Sequence, residues 1–442
     1  MGSCNYTLGV LTTRTYYSYL LLLRVYPNTQ YTERRTMSSL TLGEIYHRIP
    51  AWYTASIMPG GPSYHLEGPP GCGKTELFKR FDERMLEIDP HNTYAMGYLN
   101  GASLTESRLM GFMQLISAIN KSDTLQSSGI ESNTHTEQLM RSVFSLPFWW
   151  FLQNGRPISD YSGGIIFIDE YDKMDLEVKK MAADMRLNKC IANHYLPEDW
   201  TVWSAGNRAG IDRSGSTKEF AFERNRRIDV SVRPSALEWG EHMRRKTECL
   251  TEIIDFGENN SELLYQPVPT TNAPFCSPRS LAQADMHIRA HMKVFGLTKI
   301  PTNDLALQTE IAGGISKEVA EHLWVHLIMG TELPDYKQVI DTPESIEIPT
   351  QTDQLRLLAL KIADGTQPKD APQLIKFINR LPQEFQIMLV KMAADRNKFV
   401  LVQPAMREWS RKNMHVIAMI DDFARRHTTH EMRIVAPASV RL

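Results

Sequence analysis

A glycine-rich segment at residues 63–78 constrains this chain more than any other stretch of its sequence. It reads SYHLEGPPGCGKTELF and matches the phosphate-binding pattern G-x-x-x-x-G-K-S/T. An apolar segment precedes the glycines, and a helix-forming segment begins at Lys74 and Thr75. Glycine adopts backbone angles that residues with a Cβ avoid, so successive N–H groups can converge on a phosphate at a helix N-terminus. The sequence therefore predicts a strand, a phosphate-binding turn and a helix, in that order.

The turn itself supplies the predicted nucleotide contacts. We expect residues 68–75 to bind the nucleotide phosphates; they are Gly68, Pro69, Pro70, Gly71, Cys72, Gly73, Lys74 and Thr75. Lys74 is expected to contact the β- and γ-phosphates, and the Thr75 hydroxyl to hold Mg²⁺. The alternative is a glycine-rich turn without a ligand, which the flanking strand and helix disfavour. Because the loop contacts phosphates and not bases, the choice between ATP and GTP stays open.

A second stretch, residues 163–170, ends in two carboxylates. It reads GGIIFIDE, and its continuous apolar run is typical of a central parallel strand buried on both faces. Ligands bind at the carboxyl ends of such strands. We expect Asp169 to bind Mg²⁺ through water and Glu170 to polarise the water that attacks the γ-phosphate. An acidic pair also occurs at ordinary helix N-termini, but its place downstream of a phosphate loop favours the catalytic interpretation.

A third strand, residues 201–205, ends just before Gly206-Asn207-Arg208. Asn207 is a candidate to orient the attacking water beside Glu170, because its amide both donates and accepts hydrogen bonds. The alternative is an asparagine chosen only for a turn.

Arginines are concentrated just before a further predicted strand. Residues 220–232 read FAFERNRRIDVSV, and the cluster comprises Arg224, Arg226, Arg227 and, just beyond, Arg233. Such a cluster is either a solvated edge or the source of an arginine that acts on a neighbouring subunit. Further along, Ser277-Pro278 predicts a helix cap and first turn, which places Arg279 in that first turn.

Composition limits the classes of function. The chain has 442 residues, of which 42% are hydrophobic and 23% charged, as in soluble globular proteins of about two or three domains. Its 49 Lys and Arg nearly balance 51 Asp and Glu, so a broad nucleic-acid-binding surface is not favoured, although a local basic patch is compatible with this balance. Five scattered cysteines indicate reduced thiols in a cytoplasmic protein. The leucine run that precedes Arg24 is too short to span a bilayer.

The pattern along the chain predicts four regions. Residues 1–37 are expected to be a non-native or flexible extension, with translation starting at Met37 as one interpretation and a native segment as the other. Residues 38–235 are the α/β nucleotide-binding domain, 236–345 a helical lid, and 346–442 a helical C-terminal region.

Three local expectations fall within the α/β region. Apolar spacing predicts a short helix before Pro50, and residues 103–119, with Ser103 or Thr105 as caps, are expected to be helical. Residues 120–136 are polar and are expected to form a surface loop.

Five segments together resemble AAA+ ATPases, and more closely the MoxR-like branch. They are GPPGCGKT, IIFIDE, the strand ending in Gly206-Asn207, Asn225-Arg226 before a strand, and Cys276-Ser277-Pro278-Arg279-Ser280. The resemblance covers about residues 40–400. It implies a parallel-sheet α/β P-loop (AAA+) nucleotide domain with an α-helical lid and a helical C-terminal extension.

The resemblance also implies roles and partners. Asn207 corresponds to sensor 1, Arg226 to the arginine finger and Arg279 to sensor 2, while Arg224 and Arg227 are neighbours that could take the finger's role. It implies ATP and Mg²⁺ as ligands, a hexameric ring, a partner with a von Willebrand factor A domain, and remodelling of a protein client. The alternatives are a nucleic-acid motor or loader, and a nucleotide switch that turns over slowly. No membrane partner is expected.

Overall fold

The computed structural model describes residues 39–117, 140–208, 212, 225, 227–245, 248–396 and 403–413. The predicted extension at 1–37, the polar loop at 120–136, and the arginines Arg224 and Arg226 lie outside these residues.

The chain forms two compact units. The sheet unit is the described part of Arg35–Glu238 and Ser261–Leu281, and the helical unit is the described part of Trp239–Asn260 and Ala282–Leu442. The domain boundaries expected after residues 235 and 345 stay predictions.

A six-stranded sheet in which every neighbouring pair is parallel organises the sheet unit. Its strands are β1 Ser39–Leu40, β2 Ser63–Glu67, β3 Tyr94–Asn100, β6 Gly163–Asp169, β9 Trp200–Gly206 and β10 Arg227–Val232. Their order in the sheet is β1-β10-β2-β9-β6-β3. Every residue of β6 and β9 is buried, as an apolar run between two covered faces requires. The parallel α/β fold predicted from the sequence is confirmed.

Alternate residues of β6 face opposite layers of core. Phe167 packs with Phe78 and Trp203 on one face, whereas Ile166 and Ile168 belong to the core on the other. The helices of this unit are α1 Leu42–Ile57, α2 Lys74–Phe78, α3 Phe81–Leu86, α4 Glu106–Met110, α5 Leu176–Asn188 and α8 Ser261–Leu264.

Helix α1 is longer than the sequence predicted. We expected a short helix before Pro50, but the helix continues through Pro50 to Ile57. Its first turn is closed by a capping box between Thr41 and Glu44. Tyr53 and Ser56 extend the buried stripe beyond the proline, so burial compensates for the hydrogen bond that proline cannot donate.

The helix expected over residues 103–119 is mostly wrong. Thr105 caps a helix as predicted, but α4 stops at Gly111, whose φ of 86° is outside the helical region. The chain then forms β4 Met113–Ser117, which pairs antiparallel with β5 Met140–Phe144. A second small antiparallel pair joins β7 Cys190–Ile191 to β8 His194–Tyr195.

The helical unit has its own apolar core. The remaining helices are α6 Ala236–Arg245, α7 Thr251–Asn259, α9 Pro278–Val294, α10 Leu305–Ile315, α11 Lys317–Glu332, α12 Tyr336–Asp341, α13 Thr352–Gly365, α14 Ala371–Ile378, α15 Gln383–Arg396 and α16 Pro404–Lys412. The first residues of α6 and α9, up to Glu238 and Leu281, belong to the sheet unit. Buried leucines, isoleucines and methionines of α13, α14 and α15 form one cluster. The helical periodicity of the C-terminal segments is thus confirmed up to residue 413. None of the described helices is long and apolar enough to cross a membrane.

Candidate nucleotide-binding site

The phosphate loop connects β2 to α2 and needs its glycines. Gly71 and Gly73 have φ values of 72° and 104°, in the left-handed region that favours glycine. A Cβ on Gly68 would lie 2.8 Å from the Cβ of Val232 on the neighbouring strand. Gly73 precedes the first residue of α2, so the loop leads directly into a helix N-terminus.

Lys74 is the first residue of α2, and its ammonium group is buried inside the loop. Its Nζ donates to the carbonyl oxygens of Gly68 and Pro69 at 2.7 and 2.9 Å. It also donates to Oδ1 of Asn207 at 3.2 Å. A positive charge is therefore held between the phosphate loop and the end of β9.

Cys72 and the prolines complete the loop. The Cys72 thiol is buried, and this burial raises its pKa although the nearby Lys74 charge opposes the shift. Pro69 and Pro70 are half-buried. Cys72 therefore packs as a small apolar residue within the loop.

Asp169 ends β6 and accepts hydrogen bonds from two hydroxyl groups that other elements supply. The Thr75 hydroxyl donates to its Oδ2 at 2.5 Å, and the Tyr98 hydroxyl lies 3.4 Å from the same oxygen. Burial, followed by the charge of Asp169, raises the pKa of Tyr98 to about 12. Tyr98 is therefore a neutral donor at neutral pH.

The hydroxyl oxygen of Thr75 and the carboxylate oxygens of Asp169 are ligands of the kind that Mg²⁺ prefers. Within the described part of the chain, no group of three or more His, Cys, Asp or Glu side chains is placed to hold a metal by itself. Mg²⁺ in phosphate-transfer sites takes one or two carboxylates and completes its coordination with phosphate and water. The hydroxyl of Thr75 beside the carboxylate of Asp169 fits that requirement.

Glu170 follows β6 in a left-handed conformation, with φ of 49° and ψ of 38°. Such a backbone is uncommon for residues other than glycine and is often found at functional sites. Its Oε1 pairs with Nζ of Lys173 at 3.0 Å, and its side chain is 37% exposed. The carboxylate can therefore reach solvent at the carboxyl edge of the sheet.

Asn207 directly follows β9. Its side chain contacts Lys74, and its backbone N–H donates to Oδ1 of Asp172 at 3.1 Å. Next to it, Arg208 pairs with the buried Asp212 at 2.7 Å. Asn207 is thereby held through both its side chain and its backbone.

Arg279 lies in the first turn of α9, as predicted. Ser277 and Ser280 cap this helix reciprocally, because each hydroxyl accepts the other residue's backbone N–H. A Cβ built on Gly71 would lie 3.3 Å from the Cβ of Arg279, so the helix start packs on the phosphate loop. The positive charge of Arg279 also acts on Tyr98.

Arg227 is the one member of the candidate finger set among the described residues. It lies in β10, its side chain is 0% exposed, and its Nε donates to Oδ1 of Asp229 at 2.5 Å. A side chain buried in this way does not project towards another molecule. Arg226 and Arg224 lie outside the described residues.

Sequence reasoning missed two residues of this site, Tyr98 and Asp172. Tyr98 reaches Asp169 because β3 pairs with β6, with Tyr98 opposite Phe167. Asp172 reaches Asn207 because β6 and β9 are neighbours. Both contacts depend on strand order, which no local pattern encodes. A spacing of three residues from Asp169 was the only available signal for Asp172.

No protein-family model and no curated protein matches the chain. Among solved structures, a point mutant of RuvB from Thermotoga maritima matches at 14% identity and a TM-score of 0.33, covering 80% of this chain and 91% of that one. The RuvB Holliday junction branch migration motor of Thermotoga maritima matches at 12% identity and a TM-score of 0.33, with coverage of 69% and 76%. Hsp104 in its closed state with ATPγS and casein matches at 14% identity and a TM-score of 0.31, covering 53% and 41%.

TM-scores this low carry no argument about function. The class of the protein is therefore defined by its own sheet and loop. A parallel α/β sheet with a G-x-x-x-x-G-K-T loop between β2 and α2, in a chain that also forms a helical unit, is a P-loop fold.

Proposed function

We propose that this chain is a Mg²⁺-dependent ATPase of the AAA+ class, which uses hydrolysis to remodel a protein partner. One observation carries the proposal: the ends of three neighbouring strands, β2, β9 and β6, bring together Lys74, Asn207 and Asp169, with Glu170 next in the chain. These side chains are the types that phosphoryl transfer to water requires. A glycine-rich turn without a ligand gives no reason for this convergence.

The proposed mechanism assigns one task to each residue. Lys74 and the loop N–H groups bind the phosphates, and Thr75 and Asp169 would hold Mg²⁺, whose charge offsets that of the phosphate oxygens. Glu170 accepts a hydrogen bond from the attacking water, and Asn207 fixes the direction of that water. Arg279, in the first turn of α9, would offset negative charge on the phosphates. Catalysis then depends mainly on positioning and on charge, because the transition state is loose.

The biological setting follows the resemblance stated above. We propose a MoxR-like hexameric ring in the cytoplasm, a partner with a von Willebrand factor A domain, and a protein client. The described cysteines, Cys72, Cys190, Cys249 and Cys276, are free thiols, which supports a reducing compartment. A formal net charge of −2 gives a nucleic-acid client no support.

Nucleotide binding and steady-state turnover test the proposal. Lys74→Ala is expected to lose ATP binding, whereas Glu170→Gln keeps size and binding but lowers hydrolysis by about 10²-fold or more. Lys79→Ala and Glu177→Gln are matched controls, because both side chains are more than half exposed and pair with a neighbour three residues away. Both controls should behave as the wild type.

Three results would change the proposal. Unchanged ATP binding by Lys74→Ala would overturn the phosphate site. Binding without measurable turnover in the wild type would indicate a switch, and salt-dependent stimulation of hydrolysis by DNA or RNA would indicate a nucleic-acid motor.

A further inference from the structure

Asp172 connects the end of β9 to the turn that carries Glu170. Its side chain is buried, and its Oδ1 accepts the backbone N–H of Asn207 at 3.1 Å. The contact is close, since a Cβ added to Gly206 would lie 2.9 Å from the same oxygen. A carboxylate acceptor makes a stronger hydrogen bond than a neutral one.

This hydrogen bond connects the chain segments that follow β6 and β9, just beyond the last residue pair between these two strands. The pairing of β6 with β9 ends at Ile168 opposite Ser204. Asp169, Glu170 and Asn207 therefore lie beyond the last residue pair between β6 and β9, although Asp169 still pairs with Asn100 of β3. Beyond that pair, the hydrogen bond from the N–H of Asn207 to Asp172 connects the two chain segments.

The turn that carries Asp172 is itself held on both sides. Residues Tyr171–Lys173 form a single 3₁₀ turn, closed by the bond from the N–H of Lys173 to the carbonyl oxygen of Glu170 at 3.0 Å. Lys179 of α5 lies with its Nζ 3.4 Å from the carbonyl oxygen of Asp172. Glu170 and Asp172 are consequently parts of one rigid turn.

We propose that Asp172 is a positioning residue that fixes Asn207 relative to Glu170 and Lys74, and so sets the rate of hydrolysis without contributing to ATP affinity. The inference deepens the proposed function and rests on it. The amide of Asn207 already lies 3.2 Å from Nζ of Lys74. A displacement of about 1 Å in such a group is enough to lower a rate by about 10²-fold.

Four single variants and a double variant test this role. Asp172→Ala is expected to lower kcat about tenfold or more, with ATP affinity within about twofold of the wild type. Asp172→Asn keeps an oxygen at the same position and should restore most of kcat. The Cβ that Gly206→Ala adds would displace the Asp172 carboxylate, so this variant should show the same loss of kcat. If Asp172 acts through Asn207, the double variant Asp172→Ala/Asn207→Ala will be no slower than Asn207→Ala alone.

Asp175→Ala is the matched control, because Asp175 lies three residues further on, is exposed, and makes no side-chain cap hydrogen bond. It should keep wild-type kcat. Unchanged kcat in Asp172→Ala, or losses that add in the double variant, would overturn the inference. Should Asp172→Ala fail to fold, Gly206→Ala with unchanged kcat would overturn it equally. A wild type without turnover would instead overturn the proposed ATPase, so the two failures are distinguishable.

Discussion

The hydroxyl of Thr75 donates to Oδ2 of Asp169 across 2.5 Å, although their strands are not neighbours. Thr75 follows β2 and Asp169 ends β6, and β9 lies between these strands in the sheet. Thr75 lies in the first turn of helix α2, which begins where the phosphate loop ends. One carboxylate oxygen thus joins the phosphate loop to the second acidic motif.

Removing either partner of this contact should change the Mg²⁺ requirement. Thr75→Val removes the hydroxyl and Asp169→Asn removes the charge, so each is expected to need about tenfold or more Mg²⁺ for half-maximal hydrolysis. Nucleotide binding measured without Mg²⁺ should change little, because Lys74 is intact. Titration of ATPase activity with Mg²⁺ measures the effect.

Thr75→Ser is the control for that titration, since it keeps the hydroxyl. It should match the wild type. An unchanged Mg²⁺ dependence in both Thr75→Val and Asp169→Asn would show that this pair is structural and does not bind the metal.

The sequence predicts the parallel sheet of the sheet unit, but it does not predict the side-chain contacts between neighbouring strands. The apolar run of β6 is buried at every residue, and a short run of this kind is typical of a central parallel strand. Strand order, which brings Tyr98 and Asp172 to the site, comes from connections between distant segments. Those connections leave no local pattern.

One local prediction failed because tertiary contacts overrode propensity. Residues 113–117 have helix-forming side chains but pair with β5, which lies more than twenty residues further along the chain. Arg227 belongs to the basic cluster for which the sequence left a solvated edge and an arginine finger open, and its side chain is buried over the ring of Tyr171 at 5.5 Å. A charged residue indicates that burying its side chain costs free energy, but it does not indicate where that side chain lies in the fold.

A row of buried acids on α7 makes the stability of the helical unit depend on pH. Asp255 is 2% exposed and pairs with Arg356 at 3.1 Å and with His326 at 3.3 Å. Burial alone raises the pKa of Asp255, but these two partners outweigh burial, and the net pKa is lowered. One turn further, Glu258 pairs with Arg244.

The sign of the pH effect follows from this shift. A carboxyl whose pKa is lower in the folded state contributes stability above its unfolded pKa of about 3.9, and this contribution is lost as the pH falls through the folded value. Asp255→Asn should therefore lower the free energy of unfolding by about 3 kcal/mol near neutral pH, because it leaves buried cations without a carboxylate. The difference from the wild type should shrink below about pH 4.

Urea unfolding followed by circular dichroism, at several pH values, measures that difference. Asp341→Asn is the control, since Asp341 is exposed at the last residue of α12, and it should unfold as the wild type does. A destabilisation of Asp255→Asn that stays constant between neutral pH and about pH 3 would contradict the assignment to the carboxylate charge.

Mixing of inactive subunits should show whether an arginine acts between molecules. Arg226 precedes β10, and a permanently charged, planar guanidinium there could meet the γ-phosphate bound by a neighbouring subunit. Arg226→Ala should bind ATP normally yet hydrolyse little. Adding Lys74→Ala subunits, which lack nucleotide binding but keep the arginine, should restore part of the activity in mixed rings.

Arg227→Ala is the control for the mixing experiment. Its side chain is 0% exposed and pairs with Asp229 inside β10, so Arg227→Ala should lower the melting temperature of the protein. Any activity lost with that stability should not return on mixing, because a folding defect stays within its own subunit. Recovery for Arg226→Ala but not for Arg227→Ala would therefore assign the finger to Arg226.

If Arg226→Ala alone were fully active, the role would pass to Arg224, and the same mixing with Arg224→Ala would decide it. If that variant were also fully active, the finger acting between subunits would be given up, and with it the argument for an obligate ring.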